Sequence, residues 1–257
     1  MQRRTQGEID RIAAACSIVH RVQMALEAAV TPGVTTLTLD ELAEATIRDH
    51  GGEPAFKGYH DFPASICASL NDEAVHGFPR PTPLRDGDLL CVDVGVKLDG
   101  WFGDGAFTIP VGAVDASIQG LLETTRSALA AGVEAARAGN RLSDISHAVE
   151  SAAVDRGASV IRAYGGHGIG RQLHEEPHIP NYGRPGRGPR LKPGHVFAIE
   201  PILSLGQPEV VVDEDGWTTR TKDGSPAAHF EHTVAVTDQG PSRLTLPTGA
   251  PAVGLAV

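Results

Sequence analysis

Three carboxylates sit where carboxylates are costly. Asp93 lies in LLCVDVGV, Glu200 in VFAIEPIL and Glu231 in HFEHTVAV, each within a run that otherwise reads as an apolar strand. A buried carboxylate is disfavoured unless it is paired or binds a cation. One such residue reads as a strand-end charge or a salt bridge; three in one chain point to a shared cation site. A fourth joins them by geometry. Segment 89–111 reads as a hairpin turning at Asp99-Gly100, a pair that two-residue turns favour. With that turn, Asp104 falls opposite Gly95, which shares a face with Asp93. The two aspartates then project from one face as diagonal neighbours, and Gly95 places no side chain between them. Their like charges repel unless a cation lies between them. A bulge at Gly95 would shift this register. His167, in GGHGIG, is the candidate nitrogen donor, because the glycines clear space around its ring and neutral imidazole is the commonest metal ligand. Taken alone, a histidine in a Gly-rich loop reads as structural. Four carboxylates balance two divalent cations. Oxygen-rich ligation with one nitrogen suits Mn, Fe, Co or Zn rather than a structural zinc site. Two such ions, roughly 3.5–4 Å apart, can share a water and make it a nucleophile near neutral pH.

These residues need a frame. Apolar positions recur at helical steps over residues 6–30, and Pro32-Gly33 stops that helix. A second helix opens at Leu39-Asp40 and runs to about Asp49, with Gly51-Gly52 as its end signal. The pattern returns 106 residues later, after a long Ala-rich helix over 117–138, with Gly139 and Gly157 matching Gly33 and Gly51, and Ile145, Glu150 and Asp155 matching Leu39, Glu44 and Asp49. We read a duplication, with halves of about 1–112 and 113–237 within a single catalytic domain; chance likeness between amphipathic helices is the alternative. Strands are expected at 64–70, in the hairpin, and over 195–203, 209–215, 216–221 and 227–237, antiparallel by their turn-separated pattern. The fold class is α+β, with helices covering one face of a curved antiparallel sheet. Segment 183–194 (GRPGRGPRLKPG) reads as a solvated loop, and 238–257 as a loose C-terminal tail.

Composition narrows the function classes. With 257 residues, 41% hydrophobic and 21% charged, the chain can bury a substantial core and is not disordered. A net charge of -10 argues against a nucleic-acid or anionic-membrane binder. Cys16, Cys67 and Cys91 are odd in number and widely spaced, which fits a reducing compartment rather than a disulfide framework. The polar start MQRRTQGEIDRI lacks a signal-peptide apolar region, and no apolar run approaches 18 residues. A cytoplasmic protein is expected.

Several segments together resemble the type I methionine aminopeptidases, which share the pita-bread fold with proline-specific peptidases and creatinase. They are Gly58-Tyr59-His60, NDEAVHGFP (71–79), VDVGVKLDGWFGDGAFT (92–108), GGHGIGRQLHEEPHIPNY (165–182), LKPGHVFAIEP (191–201) and WTTRTKDGSPAAHFEHT (217–233), in the family's order within residues 5–237. The resemblance implies two divalent ions, with Asp93 chelating the second, Asp104 and Glu231 bridging, and His167 and Glu200 on the first. It implies removal of the initiator methionine from nascent chains and peptides, preferably before a small second residue, by attack of a metal-bound hydroxide on the scissile carbonyl. Glu200 would relay protons, His76 would contact the scissile nitrogen, and His174 would polarise the carbonyl or stabilise the tetrahedral intermediate. Without this context, His76 reads as an exposed loop histidine and His174 as a capping one. Tyr59, Phe62, Cys67 and Trp217 match positions lining an apolar methionine pocket, with His60 at its rim. The implied partners are peptide substrates, with the ribosome a candidate, no membrane, and a monomeric chain. Leu173 stands where an aromatic is common, Phe62 where tyrosine is frequent, and Gly105 where a larger residue is usual; these departures bear on pocket shape. The lack of an N-terminal zinc-binding extension, and of a large insertion between His174 and Glu200, fits a bacterial-type short form. The alternatives are an Xaa-Pro aminopeptidase, which usually carries an extra N-terminal domain, and a binding protein on the same fold, which would have lost metal ligands.

Overall fold

The computed structural model describes residues 1–246. Helix α1 (Gln6–Ala29) opens with a capping box in which Thr5 and Glu8 satisfy each other's backbone N–H groups, and it buries Ile9, Ile12, Cys16, Val19, Val22 and Leu26. Helix α2 (Thr36–Asp49) starts three residues before the expected Leu39, because the Thr35 side chain accepts from the Thr38 N–H and supplies the cap. Helix α3 (Ala116–Ala135) is capped by Asp115 and ends short of the expected 138; α4 is Leu142–Val154. The two helix pairs have matching turns. Gly33 and Gly139 have φ of 95° and 96°, and Gly51 and Gly157 have 79° and 78°. Gly33 N–H donates to the Leu84 carbonyl at 2.8 Å and Gly139 N–H to that of Leu191 at 3.0 Å. Leu84 and Leu191 are both buried, and each leads into a strand that carries a site carboxylate or ends beside one.

The expected hairpin forms as Leu89–Leu98 and Trp101–Pro110, turning at Asp99 (φ 50°) and Gly100 (φ 76°). Gly95 pairs with Asp104 and Asp93 with Ala106, and no bulge interrupts the register. Strand Ile66–Leu70 lies on the other side of Leu89–Leu98, with Cys67 opposite Asp93. Helix α1 packs so closely on this hairpin that a Cβ on Gly103 would lie 2.7 Å from the Cys16 nitrogen. A second antiparallel sheet runs Gly240–Arg243, His232–Thr237, Val196–Ile199, Gly165–Gly168, Glu175–Pro180.

The expected strands 195–203 and 227–237 are each broken in two. Val196–Ile199 pairs with His232–Thr237, while Ile202–Ser204 passes to a separate three-stranded sheet and pairs with Ala227–His229. One apolar cluster joins all four helices to the strands, including Val19, Leu39, Val94, Phe107, Leu121, Ile145, Phe197 and Val234. The expected loop is exposed over 184–190. The expected tail is ordered at its start. Gly240–Arg243 pairs with His232–Thr237, and Thr245 is buried with its Oγ1 2.8 Å from His232 Nδ1. Pro241 is tolerated there because this is an edge strand. The remainder of that segment, 247–257, lies outside the described residues. No described helix is long and apolar enough to cross a membrane.

Candidate metal centre

The structure brings the five expected ligands to one place. Asp93 and Asp104 project from the hairpin as diagonal neighbours. Glu200 and Glu231 stand at the two strand breaks, not within strands as expected. The register on either side of the breaks, Ile199 with His232 and Ile202 with His229, sets Glu200 directly opposite Glu231. Pro201, which has no N–H to give a ladder, marks one break. Gly95 also makes room for a neighbour: a Cβ there would lie 2.5 Å from the Phe56 ring, which lines the site.

Threonine hydroxyls join the two strand pairs. Thr108 Oγ1 donates to the His229 carbonyl at 2.7 Å and accepts from its N–H at 2.9 Å. Glu231 N–H donates to the Ala106 carbonyl at 2.9 Å. Thr233 Oγ1 donates to the Asp104 carbonyl at 2.8 Å and accepts from its N–H at 3.1 Å. Ala106 is the residue facing Asp93, so these bonds set all four carboxylates in one frame.

His167 lies on the short strand Gly165–Gly168, not in a loop, and is 7% exposed. Its Nδ1 is 2.9 Å from the Gly168 carbonyl, which can only accept, so the ring proton sits there and Nε2 keeps its lone pair for the site. That Nε2 is 3.8 Å from Asp104 Oδ2 and 3.7 Å from Glu200 Oε1. Ligand atoms of Asp104, His167 and Glu231 all lie within 4.8 Å of one another.

Electrostatics favour a cation. Burial first, with the neighbouring carboxylates adding, pushes Asp104 and Glu231 well above the usual carboxylate range. Burial raises Asp93 to about 7, and burial with the Asp93 charge raises Glu200 to about 8. Burial, then His174, drives His167 down to about 3, keeping it neutral. Asp93 Oδ1 and Glu231 Oε1 are buried with no hydrogen-bond partner. Unpaired carboxylate oxygens facing a neutral imidazole lone pair are a donor set for divalent metal. The residues therefore fit the ions that the sequence implies.

The cluster opens into a cavity of about 980 Å³ lined by the expected Tyr59, His60, Phe62, Cys67, His76, His174 and Trp217. Phe62 meets Trp217 edge-on at 5.1 Å, and Leu173 is buried against the same apolar wall. His174 meets His167 edge-on with ring centroids 4.4 Å apart, and its Nδ1 is 2.9 Å from the Tyr59 hydroxyl. His76 has φ of 61°, an uncommon left-handed conformation for a non-glycine residue, and stands edge-on to Tyr164 and Trp217. Burial, then His174, lowers His76 to about 4; burial, then His60, lowers His174. His60 is exposed at the rim. Sequence reasoning missed Phe56, Tyr164 and His229, which also line the cavity. His229 had a signal: two residues before Glu231, it takes the same face of an extended chain.

The profile of Metallopeptidase family M24 matches residues 10–238. The chain belongs to this family. The M24 chain is 51% identical over 250 residues to methionine aminopeptidase 1 of Mycobacterium tuberculosis (strain CDC 1551 / Oshkosh), covering 95% of this chain and 94% of the relative. The crystal structure of methionine aminopeptidase from Thermotoga maritima superposes with a TM-score of 0.94 at 40% identity, over 96% of this chain and 100% of that one. Prolidase from Pyrococcus furiosus superposes at 0.78 with 25% identity, and there the M24 chain covers 65% of the neighbour. The fold is the pita-bread fold that these M24 structures share.

Proposed function

We propose that the chain is a methionyl aminopeptidase that removes the N-terminal methionine from peptides and nascent proteins, preferably before a small second residue. The observation that carries this reading is a buried four-carboxylate, one-histidine cluster opening directly into an apolar, aromatic-walled pocket. Asp93, Asp104, His167, Glu200 and Glu231 would hold two divalent ions, of Co, Mn, Fe or Zn. When bound, the ions supply Lewis acidity and a nucleophilic water near neutral pH. Asp104 and Glu231, whose ligand atoms lie within 4.8 Å of each other and of His167, would be shared between the ions as the resemblance implies. Phe62, Cys67, Trp217 and Tyr59 enclose the methionine side chain, where aromatic edges favour a thioether.

The protein side chains then handle protons and orientation. Glu200 takes the proton of the attacking water and passes it to the leaving amine. The Tyr59 hydroxyl lies 2.9 Å from His174 Nδ1; donating there, it would fix the His174 proton on Nε2 and make it a donor to the developing oxyanion. His76, held neutral by burial, faces the same cavity and contacts the scissile nitrogen. His60 borders the entrance. We further propose one catalytic domain of two pseudosymmetric halves, working as a cytoplasmic monomer, with the ribosome as a partner that delivers nascent chains. Turnover of a Met-Ala-containing peptide across a panel of divalent metals tests the central reading, with an Xaa-Pro peptide and a Met-Lys peptide as comparisons. Metal-dependent cleavage of Met-Ala is expected, well above either comparison. Cleavage of Xaa-Pro in preference, or no turnover with any metal, overturns it.

A further inference from the structure

His229 is buried at the centre, and the roles above do not use it. It ends the strand Ala227–His229 and is 2% exposed. Thr108 clamps its backbone on both sides, as described, so the position of the ring is fixed. Neither ring nitrogen has a hydrogen-bond partner. Burying an imidazole with both nitrogens unpaired carries the full desolvation cost of a donor and an acceptor, which a fold keeps only where something else meets them.

The ring faces the carboxylates. Nε2 is 3.7 Å from Glu200 Oε2 and 3.9 Å from Glu231 Oε2. His167 Nε2 stands 3.7 Å from the other oxygen of Glu200, Oε1. Glu200 is thus flanked by two imidazoles, one on each oxygen. Their second nitrogens make them different. The Gly168 carbonyl draws the His167 proton to Nδ1 and leaves a lone pair for a cation. No acceptor holds a proton on His229 Nδ1, while two carboxylates face its Nε2, which favours the proton there.

We propose that His229 is a positioning residue of the metal centre: as the Nε2–H tautomer it donates to Glu200 Oε2 and so holds Oε1 toward His167. This rests on the metal-centre reading above. Closing the contact to ~2.9 Å takes a shift of under about 1 Å, well within what a carboxylate rotation provides.

Long-range ¹H–¹⁵N spectra of the histidine rings in the Zn²⁺-loaded wild-type protein test it, with the His229 signal assigned by its loss in His229→Gln. The Nε2–H tautomer is expected for His229, against Nδ1–H with a metal-bound Nε2 for His167. A metal-bound Nε2 or an Nδ1–H tautomer at His229 overturns the proposal and leaves the metal centre standing. If the wild-type chain binds neither Zn²⁺ nor Mn²⁺, the centre itself is refuted. Calorimetric titration with Mn²⁺ gives the second readout, comparing His229→Gln with His229→Met, which is of similar size but has no donor. Affinity should fall about tenfold or more in the Met variant and stay within about threefold in the Gln variant. Equal affinities in the two variants, or a Met variant binding like wild type, overturn the donor role. Should the Met variant not fold, the wild-type spectra decide alone.

Discussion

The hairpin Leu89–Leu98/Trp101–Pro110 carries its two carboxylates on an unbroken ladder, whereas the strand pair bearing Glu200 and Glu231 loses its ladder at those two residues. The offset explains the difference. Asp93 and Asp104 are diagonal across Gly95, which places no side chain of its own there and admits the Phe56 ring. Glu200 and Glu231 are directly opposed, and like charges in that position destabilise a sheet. The first arrangement tolerates its charges within regular structure. The second places them where regular structure stops, at Pro201, and two sheets part. Both send their carboxylates to one volume, and the pair less regular in backbone supplies Glu231 and Glu200, the proposed shared ligand and the proposed proton carrier.

Removing ligands breaks the comparison most completely. Asp104→Ala on the regular pair and His167→Ala beside the irregular one should each lower kcat/KM by about 10³-fold or more, with metal content falling below two ions per chain. Near-wild-type turnover in either metal-loaded variant would refute the cluster. His174→Ala comes next. Losing an oxyanion donor should cut kcat by about 10²–10³-fold while both ions stay bound. Loss of metal would place His174 among the ligands instead.

The carboxylates also predict a pH signature for the metal-free protein. Asp93 rises from 3.8 to about 7 and Glu200 from 4.5 to about 8 on folding. A carboxyl with a raised folded pKa binds its proton more tightly folded than unfolded. That stability is fully present below about pH 4 and is lost as pH climbs through 7 to 8. The metal-free Tm should drop by roughly 5 °C or more between pH 7 and 8.5, above the range in which the buried neutral histidines would take up protons on unfolding, and saturating Mn²⁺ should abolish the fall. A metal-free Tm that is flat with pH would mean that these carboxyls are not destabilised. The smallest effect expected is Gly95→Ala, which drives a methyl into Phe56 and should cost about 1–3 kcal/mol in urea denaturation. No loss would show that Phe56 moves aside freely and does not wall the site.

The regular pair was legible in the sequence because strict alternation and Asp99-Gly100 specify one register. The irregular pair was not, because VFAIEPIL and AAHFEHTVAVT are apolar on both sides of Glu200 and Glu231 and read as continuous strands. Only Pro201, with no N–H to offer, hinted at one of them. His229 was visible to the same period-two rule that relates it to Glu231. The early start of α2 lay in Thr35, a cap that apolar periodicity does not register. The edge strand Gly240–Arg243 was hidden by its own glycine and proline. Pocket and metal roles came from the resemblance; what the structure added was proximity.

The hydroxyls of Thr108 and Thr233, with the bond from Glu231 N–H to Ala106, have a mechanical consequence. They are the rivets between two strand pairs that each carry two of the four site carboxylates. A one-residue slip at that seam would move the two carboxylate pairs apart by about 3.3 Å, nearly the full spacing that the two proposed ions would keep. Metal occupancy therefore gauges the alignment of the seam, and a chelator and a denaturant pull on the same joint from opposite ends.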